Sequence, residues 1–200
     1  SNFKDTNYSK FLLMNVDFTY TTAKDLKDLI QIQKLQDNHH KDAIPKKLWR
    51  QKGYLTLRYS LELLQKAGYY YPPIVTKYKE EIIGYLLIFD QKIQGMHPVI
   101  DHFIGEINPI RFLGKPLKYL NYVMVGQVCV DQKYSGNGIA RSMYAHFKKF
   151  YSSSFSYCVT DIDIRNIRSL KLHDDLGFQL IGKSHTEEAE WNIVLLDLNS

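Results

Sequence analysis

The sequence predicts a single α/β domain, and three observations predict it. Residues 122–151 read as a strand, a two-glycine turn and a helix in immediate succession. Residues 74–89 read as two strands around a polar turn, an antiparallel hairpin. Residues 157–182 read as strand, helix and strand, and a last strand follows at 191–197. A chain of 200 residues suits one domain of ordinary size with a substantial core. Its 44% hydrophobic and 14% aromatic content is that of a globular protein.

Each element has a local reason. Residues 1–14 are an irregular lead-in, and 16–20 alternate apolar and polar positions as a first strand. Thr21 or Thr22 is positioned to cap a helix over 23–37, where Leu26, Leu29, Ile30 and Leu35 form an imperfect apolar stripe. His39 and His40 are adjacent and lack metal-ligand spacing, so they are expected as polar loop residues. Pro45 opens a second helical region at 46–66, divided by Gly53 and stopped by the run from Gly68 to Pro73. Strands follow at 74–78 and 82–89. Residues 90–118, punctuated by Gly95, Pro98, Gly105, Pro109, Gly114 and Pro116, are expected to form a long, partly helical insert. The strand at 122–130 leads into a helix with apolar residues at Ile139, Ala140, Met143, Tyr144, Phe147, Phe150 and Tyr151. In the strand at 157–164, Asp161 and Asp163 alternate with Ile162 and Ile164. Asn166 caps the next helix and Gly177 ends it. Strands at 178–182 and 191–197 close the chain.

The charge is mild: 26 basic and 21 acidic residues give +5. No Lys/Arg block marks a nucleic-acid surface, and neither nucleic acid nor membrane is expected as a partner. Cys129 and Cys158 lie in apolar runs, which favours a reducing compartment over a disulfide framework. No signal-peptide pattern and no apolar run of about eighteen residues appears, so a soluble cytoplasmic protein is expected. Asp161-x-Asp163-x-x-Asn166 lacks the glycine and the terminal glutamate of a calcium loop, and no metal is expected. The oligomeric state is left open, a homodimer included.

The turn through Gly136 and Gly138 leads directly to a helix N-terminus. The first amides of a helix have no partner within it, and its dipole favours negative charge there. Glycine lets a ligand approach the backbone, because no Cβ intervenes. The unit reads either as an anion site or as a plain turn in which glycine serves the bend. It is neither a Walker A loop nor a dinucleotide fingerprint.

Ser135-Gly-Asn-Gly-Ile-Ala140, followed by Asn166-x-x-Ser169 and Leu176-Gly177-Phe178, resembles the GNAT superfamily of acyl-CoA-dependent N-acetyltransferases. That family's cofactor signature is Gln/Arg-x-x-Gly-x-Gly/Ala. Gly138 and Ala140 match it, and Ser135 stands where Gln or Arg is usual. The order of elements agrees from about residue 15 to the last strand. The resemblance implies one GNAT-like domain over 1–200: a mixed, mostly antiparallel sheet of six or seven strands, splayed near the cofactor, flanked by about four helices.

The resemblance also implies a site. The amides of Gly136, Asn137, Gly138, Ile139, Ala140 and Arg141 would cradle the pyrophosphate of acetyl-CoA, with Ser135 and the Ser142 hydroxyl beside them. The backbone of Val128 and Val130 would pair with the pantetheine arm, and an amide near Val128 would polarise the acyl carbonyl. Asn166 and Ser169 would hold the arm or a water, and Arg168 or Lys171 either meets the 3′-phosphate or belongs to an exposed helix face. His173 stands where much of the family has a Tyr that protonates the departing thiolate, and it is the expected catalytic acid. Where many relatives place a Glu base, this chain has Gln127, which cannot take a proton, so deprotonation falls to solvent or to an acidic residue elsewhere, Asp161, Asp163 or Glu106. Cys129 lies near the acyl path and is expected as a buried hydrophobe. The expected activity is N-acetylation of a small-molecule or peptide amine. The alternative is a non-catalytic acyl-CoA-binding or sensing module, favoured by Ser135 and by the missing Glu.

Overall fold

The computed structural model describes residues 17–200; the expected lead-in at 1–14 and Val16 lie outside them. In chain order the elements are β1 (Thr19–Thr22), α1 (Leu26–His39), α2 (Trp49–Lys52), α3 (Leu61–Tyr70), β2 (Ile74–Tyr78) and β3 (Glu81–Phe89). They continue with α4 (Pro98–Ile107), β4 (Tyr122–Val130), α5 (Ile139–Tyr151), β5 (Tyr157–Asp163), α6 (Ile167–Asp175), β6 (Gln179–His185) and β7 (Glu190–Asp197). The seven strands form one sheet in the order β1-β2-β3-β4-β5-β7-β6. Every neighbouring pair is antiparallel except β4 and β5, which run parallel. A two-residue ladder, Arg111–Phe112 with Lys115–Pro116, stands apart from the sheet.

Both faces of the sheet are covered, which is why its central strands read as unbroken apolar runs. On one face α1, α3 and α4 set Ile32, Leu64 and Ile104 against Val75, Tyr85, Leu87 and Leu195. On the other face α5 sets Met143 and Phe147 against Ile74, Leu86, Ile88 and Val194. The assignment alternates residue by residue along β7 and from Tyr85 to Phe89 on β3, as strand geometry requires, and slips once at the bulge where Thr76 pairs with Gly84 but Lys77 with Ile82. Gly84 lets α5 lie close to the sheet: a Cβ there would stand 3.2 Å from the Cys129 carbonyl and 3.3 Å from Ile139 Cγ2.

The first third of the chain differs from its sequence reading. Helix α1 begins at Leu26 under an Asp25 cap, whose carboxylate accepts from the Asp28 amide at 3.0 Å; Thr21 and Thr22 belong to β1. The helical region at 46–66 does divide at Gly53, but its second helix starts later than expected. Gly53, at φ +69°, ends the four-residue α2, and the chain then runs extended before α3 starts at Leu61. Leu55 bonds there to the end of α1, its amide to the His39 carbonyl at 2.9 Å and its carbonyl to the Lys41 amide at 2.8 Å. Leu55, Leu57 and Tyr59 were thus a period-two pattern inside a run read as helical. Helix α3 passes through Gly68 and stops at Tyr70, before Pro72 and Pro73 remove the next donors. His39 and His40 are buried and are not loop polars. His39 Nδ1 donates to the Leu35 carbonyl at 2.9 Å, and its Nε2 accepts from the Gln132 amide at 3.3 Å.

Candidate active site

The parallel pair β4–β5 holds together for only three residue pairs, from Tyr122 with Tyr157 to Met124 with Val159. Thr160 Oγ1 donates to the Val125 carbonyl at 2.8 Å at the point where the strands part. The parting coincides with a bulge. Leu87 pairs with Gln127 but Ile88 pairs with Val125, so Gly126 is the extra residue. Only glycine fits there, because a Cβ would lie 2.1 Å from Phe89 Cε2. Beyond the fork, Val128 and Val130 keep their ladder to β3, and among the described residues no strand pairs on their β5 side. The opening is a cleft of about 660 Å³ that reaches from the fork to the glycine turn and the first turns of α5 and α6.

The turn that follows β4 is built for close approach. Asp131 caps a short 3₁₀ turn over Gln132–Tyr134, accepting from the Lys133 amide at 2.9 Å. Gly136 at φ +85° and Gly138 at φ +71° then take conformations that favour glycine, and a Cβ at either would point into open space. Helix α5 starts at Ile139 with no side-chain cap, and its first internal bond is from the Ser142 amide to the Gly138 carbonyl at 3.0 Å. Among Gly136 to Arg141, the side chain of Ile139 is buried in the core while Ala140 and Arg141 line the cleft. The Asn137 side chain turns back to donate to the Tyr134 carbonyl at 2.8 Å. Uncapped N-terminal amides beside two open glycines are an arrangement that receives an anion.

Across the fork stands Asp161. Along β5, Val159 belongs to the core face of α1, α3 and α4, while Cys158 and Ile162 belong to the other. Asp161, two residues from Val159, therefore points to the α1, α3 and α4 side. Burial pushes its carboxyl up to about 6, and among the described residues it has no ion-pair partner. The other two candidates are engaged or outside. Asp163 binds the Arg165 guanidinium at 2.6 Å; burial pushes its carboxyl up, but the Arg165 contacts hold it, on balance, below the ordinary range. Glu106 is exposed outside the cleft lining and accepts from Ser184 Oγ at 3.2 Å.

No family model matches the sequence, and no curated protein matches it. Solved structures do. The chain is similar to one in the NatC complex bound to Gag peptide and CoA, with TM-score 0.63 and 14% identity over 90% of this chain and 98% of that one. It is similar to the ribosomal-protein-S18-alanine N-acetyltransferase from Escherichia coli, with TM-score 0.60 and 12% identity over 91% of this chain and 94% of that one. It is also similar to Arabidopsis thaliana Naa50 in complex with the bisubstrate analogue CoA-Ac-MVNAL, with TM-score 0.60 and 14% identity over 91% and 99% of the two chains. The chain has the GNAT fold.

Where this chain departs from the GNAT signature, its geometry shows what the substituted residues do instead. Ser135 Oγ accepts from Arg168 Nη2 at 2.5 Å, so a guanidinium from α6 stands at the loop position where the signature carries Gln or Arg. Gln127 is buried and spoken for: Oε1 accepts from the Tyr85 hydroxyl at 2.6 Å, and Nε2 donates to the Leu57 carbonyl at 3.0 Å. It clamps the extended segment after Gly53 onto β4. Asn166 serves the same segment. Its Oδ1 caps α6 by accepting from the Ser169 amide at 3.4 Å, and its Nδ2 donates to the Tyr54 carbonyl at 2.9 Å.

His173 lines the cleft on α6. It is 3% exposed, and Nδ1 lies 2.8 Å from the Ser169 carbonyl, which can only accept. Burial holds its pKa below the ordinary imidazole value, which favours the neutral ring; with Nδ1–H donating to Ser169, Nε2 is free to accept from the Tyr144 hydroxyl at 2.7 Å. The ring packs edge-on against Tyr144 and Phe178, and both its nitrogens have partners within the fold. Burial likewise pushes the Cys129 thiol up, which keeps it protonated. Sequence reasoning missed the extended segment at 53–60, whose Leu57 and Tyr59 line the cleft. The alternation of apolar residues there was the available signal. Among the described residues, no group of three or more His, Cys, Asp or Glu side chains is placed to hold a metal, and no helix is long and apolar enough to cross a membrane.

Proposed function

We propose that this chain transfers an acetyl group from acetyl-CoA to a primary amine of a small molecule or peptide. The observation that carries the reading is the fork itself: β4 parts from β5 at Gly126, and the cleft so opened runs to the uncapped N-terminus of α5. The residues present fit the cosubstrate. The open Cβ positions of Gly136 and Gly138 leave room for a diphosphate against the amides of Gly136 to Arg141. The unpaired edge of Val128 and Val130 offers backbone groups to an extended amide-bearing arm. Arg168 supplies charge beside Ser135, and the Ser142 hydroxyl stands on the first turn of α5. Acetyl-CoA supplies an activated acetyl thioester.

The chain's own residues do the rest. Asp161 accepts the proton that the acceptor ammonium must lose before it is nucleophilic; a carboxyl pushed up to about 6 is better matched to that task than an ordinary one. Backbone amides of the free β4 edge are placed to polarise a carbonyl. Ser169, on the first turn of α6, lines the cleft beside the loop. That two of the similar structures hold CoA or a CoA–peptide analogue supports this assignment of the fork. The test is thiol release from acetyl-CoA in the presence of a panel of amines, with mass spectrometry of the products. Amine-dependent, saturable release with an acetylated product supports the reading. CoA binding without turnover on any amine would leave a binding module and overturn it.

A further inference from the structure

The cleft is polarised. Its lining lysine and arginines, Lys52, Arg141 and Arg168, gather round the glycine turn. Gln132 Nε2 ties the Lys52 carbonyl to that turn at 2.9 Å, Arg168 reaches Ser135, and Arg141 stands on the first turn of α5. The carboxylates lie across the fork: Asp161 on β5, and Glu187 and Glu188 on the turn between β6 and β7. Glu188 is shared with Lys41 at 2.6 Å, while among the described residues neither Asp161 nor Glu187 has an ion-pair partner. The same half of the cleft is walled by Leu57, Tyr59, Phe89, Ile100, Phe103 and Trp191. Trp191 pairs with Asp163 and shares the strand face of Ile193, so it lies on the Asp161 side of the sheet.

We infer that the acceptor is a cationic primary amine carried on an apolar or aromatic body, with no carboxylate beside the amine. This rests on the N-acetyltransfer reading and narrows it to a substrate class. An ammonium entering this half meets unpaired carboxylates and aromatic faces, both of which attract it. A free amino acid would bring its own carboxylate next to Asp161, in a half whose lining carries no lysine or arginine and whose neighbouring cations, Lys41 and Arg165, are already paired with Glu188 and Asp163. Like charges so juxtaposed across a partly dry interface cost several kcal/mol. Two sources share the accepted chemistry: an aryl or alkyl amine, and the amino terminus of a peptide that begins with an apolar residue, where a neutral amide replaces the carboxylate.

The test is calorimetric titration of amines into the full chain saturated with free CoA, which reads binding whether or not turnover occurs. Phenylalaninamide and 2-phenylethylamine are expected to bind at least about thirtyfold more tightly than phenylalanine. Ethanolamine, with no apolar body, is expected to bind more weakly than both. Asp161→Asn is expected to weaken phenylalaninamide by about tenfold or more while the CoA titration stays unchanged. Tighter binding of an apolar-headed peptide amide than of 2-phenylethylamine would assign the chain-terminal source, and the reverse order the small amine; either upholds the class. Equal affinity for phenylalanine and its amide, or no amine binding, overturns the inference. Discrimination among amines without any acetylated product would instead overturn the N-acetyltransfer reading and leave the binding class standing.

Discussion

Asp161 carries opposite demands of stability and function. Its carboxyl is 3.8 in the reference state and about 6 in the fold. The folded state therefore disfavours the ionised form. The resulting loss of stability is absent below pH 3.8, grows as pH rises toward about 6, and persists above it. Asp161→Asn is thus expected to stabilise the protein at neutral pH, by on the order of 2 kcal/mol in chemical denaturation. The same variant is expected to lose about a hundredfold or more in turnover, along with the acid limb that the wild type shows below about pH 6. His173 is the converse. Only the unfolded chain takes its proton freely, so acidification below pH 6.5 weakens the fold through this residue. His173→Phe removes that dependence and costs about 1–3 kcal/mol, because the buried Tyr144 hydroxyl loses its acceptor. Its turnover per folded molecule is expected to match the wild type; a large loss with CoA affinity intact would assign the residue as the acid. The sequence placed the glycines and the Asn166 cap because each is a local device. The partner of His173 Nε2 was not legible, because Tyr144 lies on another helix, 29 residues upstream.

At the scale of elements, the fork depends on a bulge and a clamp. Gly126→Ala would drive a methyl into the Phe89 ring, and Phe89 is itself packed edge-on against Tyr59. We expect a loss of about 2–4 kcal/mol in denaturant unfolding, since ring and bulge must both shift. Gln127→Glu tests the view that this chain merely lacks a base on β4. A glutamate there would set an acceptor against the Leu57 carbonyl, which now receives a hydrogen bond. The expected outcome is no gain in turnover and a loss of about 1–3 kcal/mol, measured by the same unfolding assay. Strands β2 to β5 and helices α5 and α6 were legible because period and punctuation agree within each. The stretch at 53–60 was not, because its extended form is fixed by the bridge to His39 and Lys41, by Gln127 on β4 and by Asn166 on α6. None of these partners is local.

At the scale of the molecule, one fold brings two chemistries to opposite mouths of one cleft. The parallel pair breaks in mid-sheet, helix α5 aims unpaired amides and nearby guanidinium groups at one end, and β5 turns a carboxylate toward the other. The order of elements already suggested this architecture. The polarity of the cleft was not legible, since Lys52, Arg168, Asp161 and Glu187 come together only when the sheet is assembled. The central claim is that the fork and the glycine turn form a CoA site. Calorimetric titration with acetyl-CoA, with free CoA and ATP as controls, tests it most directly. Saturable binding of acetyl-CoA and CoA, with none of ATP, is the result this account predicts. No binding of acetyl-CoA at high micromolar concentration would contradict it, and would show that Arg168 does not make good the change at Ser135.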